Sequence, residues 1–169
     1  MLVLLSSCYG PTADYKAKQA VIKETSDIMR EFCKTNADST KDWLVANIYF
    51  KDKDSNLTDQ DKKVLDEVIN LHRRCTSTML IIGHTSNFEA KQGIPFATNL
   101  SYKRAEAVAQ YFLQNQISEK YPKVYFCGNN RNAAYENIAT AKDVNQRVEI
   151  VFVRNSKLQE YTQQLCLVS

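Results

Sequence analysis

A chain of 169 residues, 44% of them hydrophobic and 24% charged, is long enough to bury one sizeable core. Its 22 basic and 19 acidic residues are interspersed and leave a net charge of +3, which excludes the basic stripe of a nucleic-acid binder. With four Gly, three Pro and no low-complexity stretch or fixed-period repeat, a linker and a solenoid are excluded too, and no apolar run approaches the roughly 18 residues of a membrane-spanning helix.

Residues 1–7 are apolar and end on small residues before Cys8, after which the chain turns polar at Tyr9, Gly10 and Pro11. Leu5-Ser6-Ser7-Cys8 resembles a bacterial lipobox, which implies cleavage before Cys8 and lipid attachment to its sulfur. Several acyl chains together make a stable anchor. A signal peptide has a basic leading region and a longer apolar stretch than this, so a longer leader is expected. The competing reading is a buried terminal strand. Tyr9 stands where an Asp would retain a bacterial lipoprotein in the inner membrane, so the resemblance favours the outer membrane, facing the periplasm. In that oxidising compartment Cys33, Cys75, Cys127 and Cys166 can form two disulfides, with three connectivities open. Four small buried thiols are the alternative.

Residues 9–16 read as a tether, and over 17–34 Ala17, Val21, Ile28 and Phe32 recur at helical spacing, predicting a helix that either spaces the next unit from the bilayer or packs onto it. The apolar and β-branched run 43–50 predicts a buried strand. Thr58 followed by Asp59 and Asp61 predicts a helix start, continued on one face by Val64, Leu65, Val68, Ile69 and His72. Residues 78–82, stopped by Gly83, predict a second strand, and the polar stretch 84–98 a long loop. Ser101 is expected to cap a second helix carrying Ala105, Val108, Ala109 and Phe112 inward and Lys103 and Arg104 outward. Strands are predicted at 123–127 and 147–153, around an Asn-rich loop. Leu158, Tyr161, Leu165 and Cys166 predict a terminal helix. The units are 1–8 as a partial lipoprotein signal, 9–43 as tether and helix, 44–153 as the main domain, and 154–169 as a C-terminal helix. The fold class is α+β, a β-α-β-α-β-β mixed sheet with helices on one face.

Three segments occur in this order: Ile81-Ile82-Gly83-His84-Thr85; Leu100-Ser101-Tyr102-Lys103-Arg104-Ala105-Glu106-Ala107-Val108; and Asn145-Gln146-Arg147-Val148-Glu149-Ile150. Together they resemble the OmpA-like, or OmpA/MotB C-terminal, family over about 110 residues, with its Gly-His-Thr-Asp, Leu-Ser-x-x-Arg-Ala-x-x-Val and Asn-Arg-Arg-Val-Glu-Ile patterns.

The resemblance implies a ligand: the diaminopimelate of a peptidoglycan stem peptide, which presents an ammonium and a carboxylate. By the same resemblance Arg104 grips the carboxylate bidentately beside a helix start supplied by Asn99, Leu100 and Ser101. Arg147 adds charge, and His84 and Thr85 line the pocket floor. Without the motif, Arg104 reads as a solvated helix charge and His84 as a hydrogen-bonded structural residue. The chain departs from the pattern at Ser86, where the family has its Asp. A hydroxyl brings no charge, so ammonium binding is expected to weaken, and Glu89 is placed to substitute if the loop folds back.

No Cys-x-x-Cys, His-Glu-x-x-His, Gly-x-Ser-x-Gly or glycine-rich phosphate loop occurs, so neither catalysis nor a cofactor or metal is expected. Two functions remain. One is an outer-membrane lipoprotein that anchors an envelope assembly to peptidoglycan, as in the outer-membrane core of a type IV secretion apparatus. The other is a docking subunit that keeps the fold, has weak or no peptidoglycan binding, and contacts other outer-membrane or secretion-system proteins. Membrane contact is expected through the lipid alone.

Overall fold

The computed structural model describes residues 42–75, 77–133, 141–153, Thr162 and 166–168. Cys8, Cys33, the tether, the helix expected at 17–34 and most of the expected C-terminal helix lie outside them. The described elements are β1 (Trp43–Tyr49), α1 (Asp59–Arg74), β2 (Thr78–Gly83), α2 (Asn87–Ala90), α3 (Ile94–Gln114), β3 (Pro122–Phe126), α4 (Ala141–Asn145), β4 (Arg147–Val153) and β5 (Leu167–Val168).

The strands form one mixed sheet in the order β1-β4-β2-β3-β5. β4 runs antiparallel to both β1 and β2, whereas β2 and β3 are parallel. A parallel pair needs a crossover, and the segment carrying α2 and α3 provides it. The strand alternation sends Met79, Ile81, Val148, Ile150 and Phe152 to one face. There they meet Val64, Leu65, Val68 and Ile69 of α1 and Ala105, Val108 and Phe112 of α3. Leu80, Ile82 and Val151 point the other way, into a smaller cluster with Tyr125, Cys127 and Cys166. The α+β architecture expected from the sequence is thus present.

α1 starts where the sequence indicates. Thr58 Oγ1 accepts from the Asp61 amide at 3.2 Å and Asp61 Oδ2 accepts from the Thr58 amide at 2.9 Å, a reciprocal cap. α3 starts earlier than expected. It opens after Gly93, whose φ of +115° suits glycine, with Pro95 in its first turn. Proline fits a first turn because its missing N–H would be unpaired there anyway. Ser101 therefore lies inside the helix and caps nothing. Its hydroxyl donates to Thr98 O at 2.8 Å and accepts the Gly128 amide at 3.0 Å, tying α3 to the segment after β3.

Gly83 explains how closely α3 sits on β2: a Cβ there would stand 2.0 Å from the Ser101 carbonyl oxygen. The stretch expected as a loop contains α2 as well as the start of α3. At the C-terminal end, Leu167 and Val168 pair with Phe126 and Tyr125 as a strand, not a helix, and Cys127 is disulfide-bonded to Cys166. Cys75 is disulfide-bonded as well, with its partner outside the described residues.

Candidate functional site

The ends of β1, β2 and β4 converge on the middle of α3, and Arg104 lies at that junction. Its side chain is fully buried, contrary to the outward placement expected from helical periphery, because five acceptors surround it. Nε donates to Asp54 O at 2.8 Å, Nη1 to His84 O at 3.0 Å, and Nη2 to Lys51 O at 3.1 Å. The remaining two N–H groups form a fork onto one carboxylate, with Nη1 to Glu89 Oε2 at 3.0 Å and Nη2 to Glu89 Oε1 at 2.5 Å. The Phe50 ring lies 5.3 Å from the guanidinium carbon and covers one face of the plane. A guanidinium has five N–H donors, so none is left over.

The segment after β2 folds back and brings Glu89 to Arg104, where its carboxylate is taken by the guanidinium and not left open for an ammonium. Ser86 is the N-cap of α2: its hydroxyl accepts the Glu89 amide at 3.2 Å, and its own amide donates to Glu89 Oε2 at 3.0 Å. Lys53 N donates to Glu89 Oε1 at 2.9 Å. The carboxylate therefore rests in a cradle of four strong donors: Nη1 and Nη2 of Arg104 and the amides of Lys53 and Ser86. Gln146 Nε2 approaches Ser86 Oγ at 3.3 Å and Asp52 Oδ1 at 3.4 Å, closing one side.

The other expected site residues are dispersed. Thr85 is buried, with its amide bonded to Gly128 O and its hydroxyl without a hydrogen bond. Leu100 is buried in α3, and Asn99 is exposed. Asn99 and Arg104 are five residues apart, about 140° around a helix, so they face different surfaces. Because both Asn99 and Leu100 are helix-interior positions, they offer no free helix-start amides. Asn99 instead lines an open groove of about 470 Å³ with Ile94, Pro95, Thr98, Tyr102 and Phe126.

Arg147 is buried on the opposite face of the sheet. Its Nε donates to Glu149 Oε1 at 3.0 Å, its Nη2 contacts the same oxygen and Arg131 O at 3.3 Å, and its Nη1 has no hydrogen-bond partner. His84 Nε2 is 3.5 Å from Glu149 Oε2. Burial pushes the His84 pKa down, outweighing the opposing pull of the nearby Glu149 carboxylate. Burial also pushes the Glu149 carboxyl up, but His84 and Arg147 together outweigh it and hold it down at about 2. With His84 neutral at neutral pH, Arg147 supplies the cationic charge next to Glu149.

Sequence reasoning missed the carbonyls of Lys51 and Asp54 and the amide of Lys53, since backbone groups carry no residue signature. It missed Glu149 as well, although the two-residue period of a strand puts it beside Arg147. Among the described residues no group of His, Cys, Asp and Glu could hold a metal ion, and no helix is long and apolar enough to cross a membrane.

A protein-family model described as OmpA family matches residues 49–146, the span that holds Arg104, Glu89, the first two motifs and the start of the third. The chain belongs to the OmpA family. No curated protein matches it. Among solved structures, this OmpA-family chain is similar to the cell wall anchor of the T6SS from Pseudomonas aeruginosa, with 17% identity, TM-score 0.60, and 79% of this chain and 96% of that one covered. A putative MotB-like protein from Desulfovibrio vulgaris has 20% identity and TM-score 0.58, covering 82% and 96%. The peptidoglycan-associated lipoprotein from Burkholderia pseudomallei has 21% identity and TM-score 0.54, covering 63% and 88%. At these identities the likeness is one of fold.

Proposed function

We propose that this chain is a non-catalytic envelope module that holds an assembly at the peptidoglycan layer by taking a stem-peptide carboxylate at Arg104. The observation that carries the reading is the four-donor cradle. The motif arginine already grips a carboxylate bidentately, and Glu89 displays the geometry a ligand carboxylate would take. Family membership supports it, as do fold relatives named as a cell wall anchor and a peptidoglycan-associated lipoprotein. In its finer form the reading puts a lipid on Cys8, the domain in the periplasm below the outer membrane, and the assembly in a type IV secretion core. The Cys127–Cys166 disulfide suits that oxidising compartment.

The test is sedimentation of the full chain with purified peptidoglycan, with and without excess free diaminopimelate. Co-sedimentation that diaminopimelate reverses is the expected result. A folded chain that stays in the supernatant overturns the wall reading. Lipidation is tested by labelling with a fatty-acid analogue, which Cys8→Ser should abolish.

One observation favours a second reading, a docking subunit for other envelope or secretion-system proteins. Ser86 replaces the acid that would meet an ammonium, and Arg104 has no spare donor.

A further inference from the structure

Glu89 is not needed to aim Arg104. The Lys51, Asp54 and His84 carbonyls hold three of its five N–H groups and fix the guanidinium plane, leaving the two fork donors directed at one spot. The Lys53 and Ser86 amides converge on the same spot from the backbone. A preorganised carboxylate cradle therefore exists independently of the side chain that fills it.

That side chain sits on a weakly attached piece. α2 has four residues, and Glu89 is its only buried side chain, while Phe88, Lys91 and Gln92 are exposed. Besides Glu89, a side-chain hydrogen bond ties α2 to the body, from Asn129 Nδ2 to Asn87 Oδ1 at 2.9 Å. Gly93 follows with φ +115°, a backbone conformation that can serve as a hinge. Lifting the segment would uncover no buried apolar side chain of α2 and would return Glu89 to water, so the carboxylate's bonds are a main part of what opposes opening.

We infer that residues 87–93 form a flap in which Glu89 is a built-in competitor for the Arg104 cradle, displaced when an external carboxylate takes its place. The inference rests on the wall-anchoring reading and specifies how that site is regulated. A tethered competitor acts at a high effective concentration, so the resting domain binds free carboxylates weakly. A wall that presents stem carboxylates at high local concentration, or soluble ligand in large excess, overcomes the competitor where dilute soluble ligand does not. Ser86 fits the same arrangement. An Asp there would set a second carboxylate against Glu89, whereas the Ser86 amide and hydroxyl both approach it as donors.

The experiment titrates diaminopimelate and a diaminopimelate-containing stem peptide into the full chain and its Glu89→Gln variant, alongside wild-type sedimentation with peptidoglycan. Gln keeps an acceptor oxygen and loses the charge, so it should yield the cradle more readily. The expected result is affinity at least about tenfold tighter than wild type, including the extreme in which only the variant binds measurably. Equal affinities with a wild type that sediments with the wall overturn the flap and leave the wall reading standing. Absence of binding by both proteins, with a folded wild type that stays in the supernatant, overturns both. Should Glu89→Gln fail to fold, hydrogen exchange on the wild type decides. Ligand should speed exchange at the Glu89 and Ala90 amides, whose bonds to Ser86 Oγ and Ser86 O join the closed flap to the body. Unchanged or slower exchange there overturns it.

Discussion

The two faces of the sheet are stabilised in different ways, and each contains one of the motif arginines. On the helix-covered face a continuous apolar cluster joins α1, α3 and three strands, and Arg104 at its edge has every donor matched. The other face has a small apolar cluster, a disulfide, and the Arg147–Glu149–His84 group, in which Arg147 Nη1 lacks a partner. Equivalent residue types in equivalent motifs therefore do different work. Arg104 links the loop after β1, the end of β2 and α2 through the complete use of its five donors. Arg147 fixes one neighbouring carboxylate and keeps a donor in reserve. What separates them is the count of satisfied N–H groups, not the motif.

The largest test of this contrast is Arg104→Ala. Removing one partner of a buried ion pair leaves the other charge uncompensated, at a cost of about 3–5 kcal/mol. Here Glu89 would lose its fork and three carbonyls their donor. Thermal or urea unfolding should show a drop of that size. A melting temperature close to wild type would mean that water replaces the guanidinium and that Arg104 is not structural. On the opposite face, replacing Cys127 and Cys166 together with Ser should cost about 4 kcal/mol from chain entropy, because the bond spans 39 residues. Unfolding under oxidising conditions checks it, and a loss well below that would mean β5 contributes little to closing this face.

The legible and illegible parts of the molecule divide along the same physical lines. α1 and the four longer strands could be read because local signals agree: Thr58 with Asp61 at the cap, Val64, Leu65, Val68 and Ile69 at helical period, and β-branched runs ending at Gly83 and Val153. α3 was placed too late because Gly93 and Pro95 look like loop residues until the proline is recognised as belonging to a first turn. β5 is too short to have a period, and its strand form depends on pairing with β3. The motifs located Arg104, Ser86 and Arg147, but they could not reveal burial. The Arg104–Glu89 pair joins residues fifteen apart through a fold-back, and three of its neighbours contribute only backbone atoms.

Acid should destabilise the protein in two stages, the first from a histidine on each face and the second from the Glu149 face alone. His84 and His72 are both pushed below their ordinary 6.5 by burial, so the unfolded chain takes up protons first and stability begins to fall below pH 6.5. Glu149 is held at about 2 against an ordinary 4.5. Its contribution is present above pH 4.5 and is lost as pH falls towards 2, a total of about 3 kcal/mol. Glu149→Gln should remove the second stage and deepen the His84 part of the first, because no carboxylate then opposes the downward shift of that imidazole. Melting temperatures across this range for both proteins check it, and parallel curves would show that the low-pH loss originates elsewhere.

The smallest expected effect, Ser86→Asp, separates the motif from its surroundings. From the family pattern alone this change restores a missing acid. In the folded protein residue 86 is buried and caps α2, with Glu89 Oε2 bonded to its amide at 3.0 Å. Asp is as good a cap as Ser, so the helix start itself loses nothing. The cost arises because a second carboxylate enters a cradle whose donors are already shared, and like charges at one site disfavour ionisation of both. We expect a loss of about 1–3 kcal/mol, in the range of ordinary buried-polar changes. It should shrink in the Glu89→Gln background, where the repelling charge is gone. A double-mutant cycle on unfolding free energies measures that coupling. Coupling near zero would mean that residues 86 and 89 do not share a charge site, and the account of Ser86 as the partner chosen to fit Glu89 would fail with it.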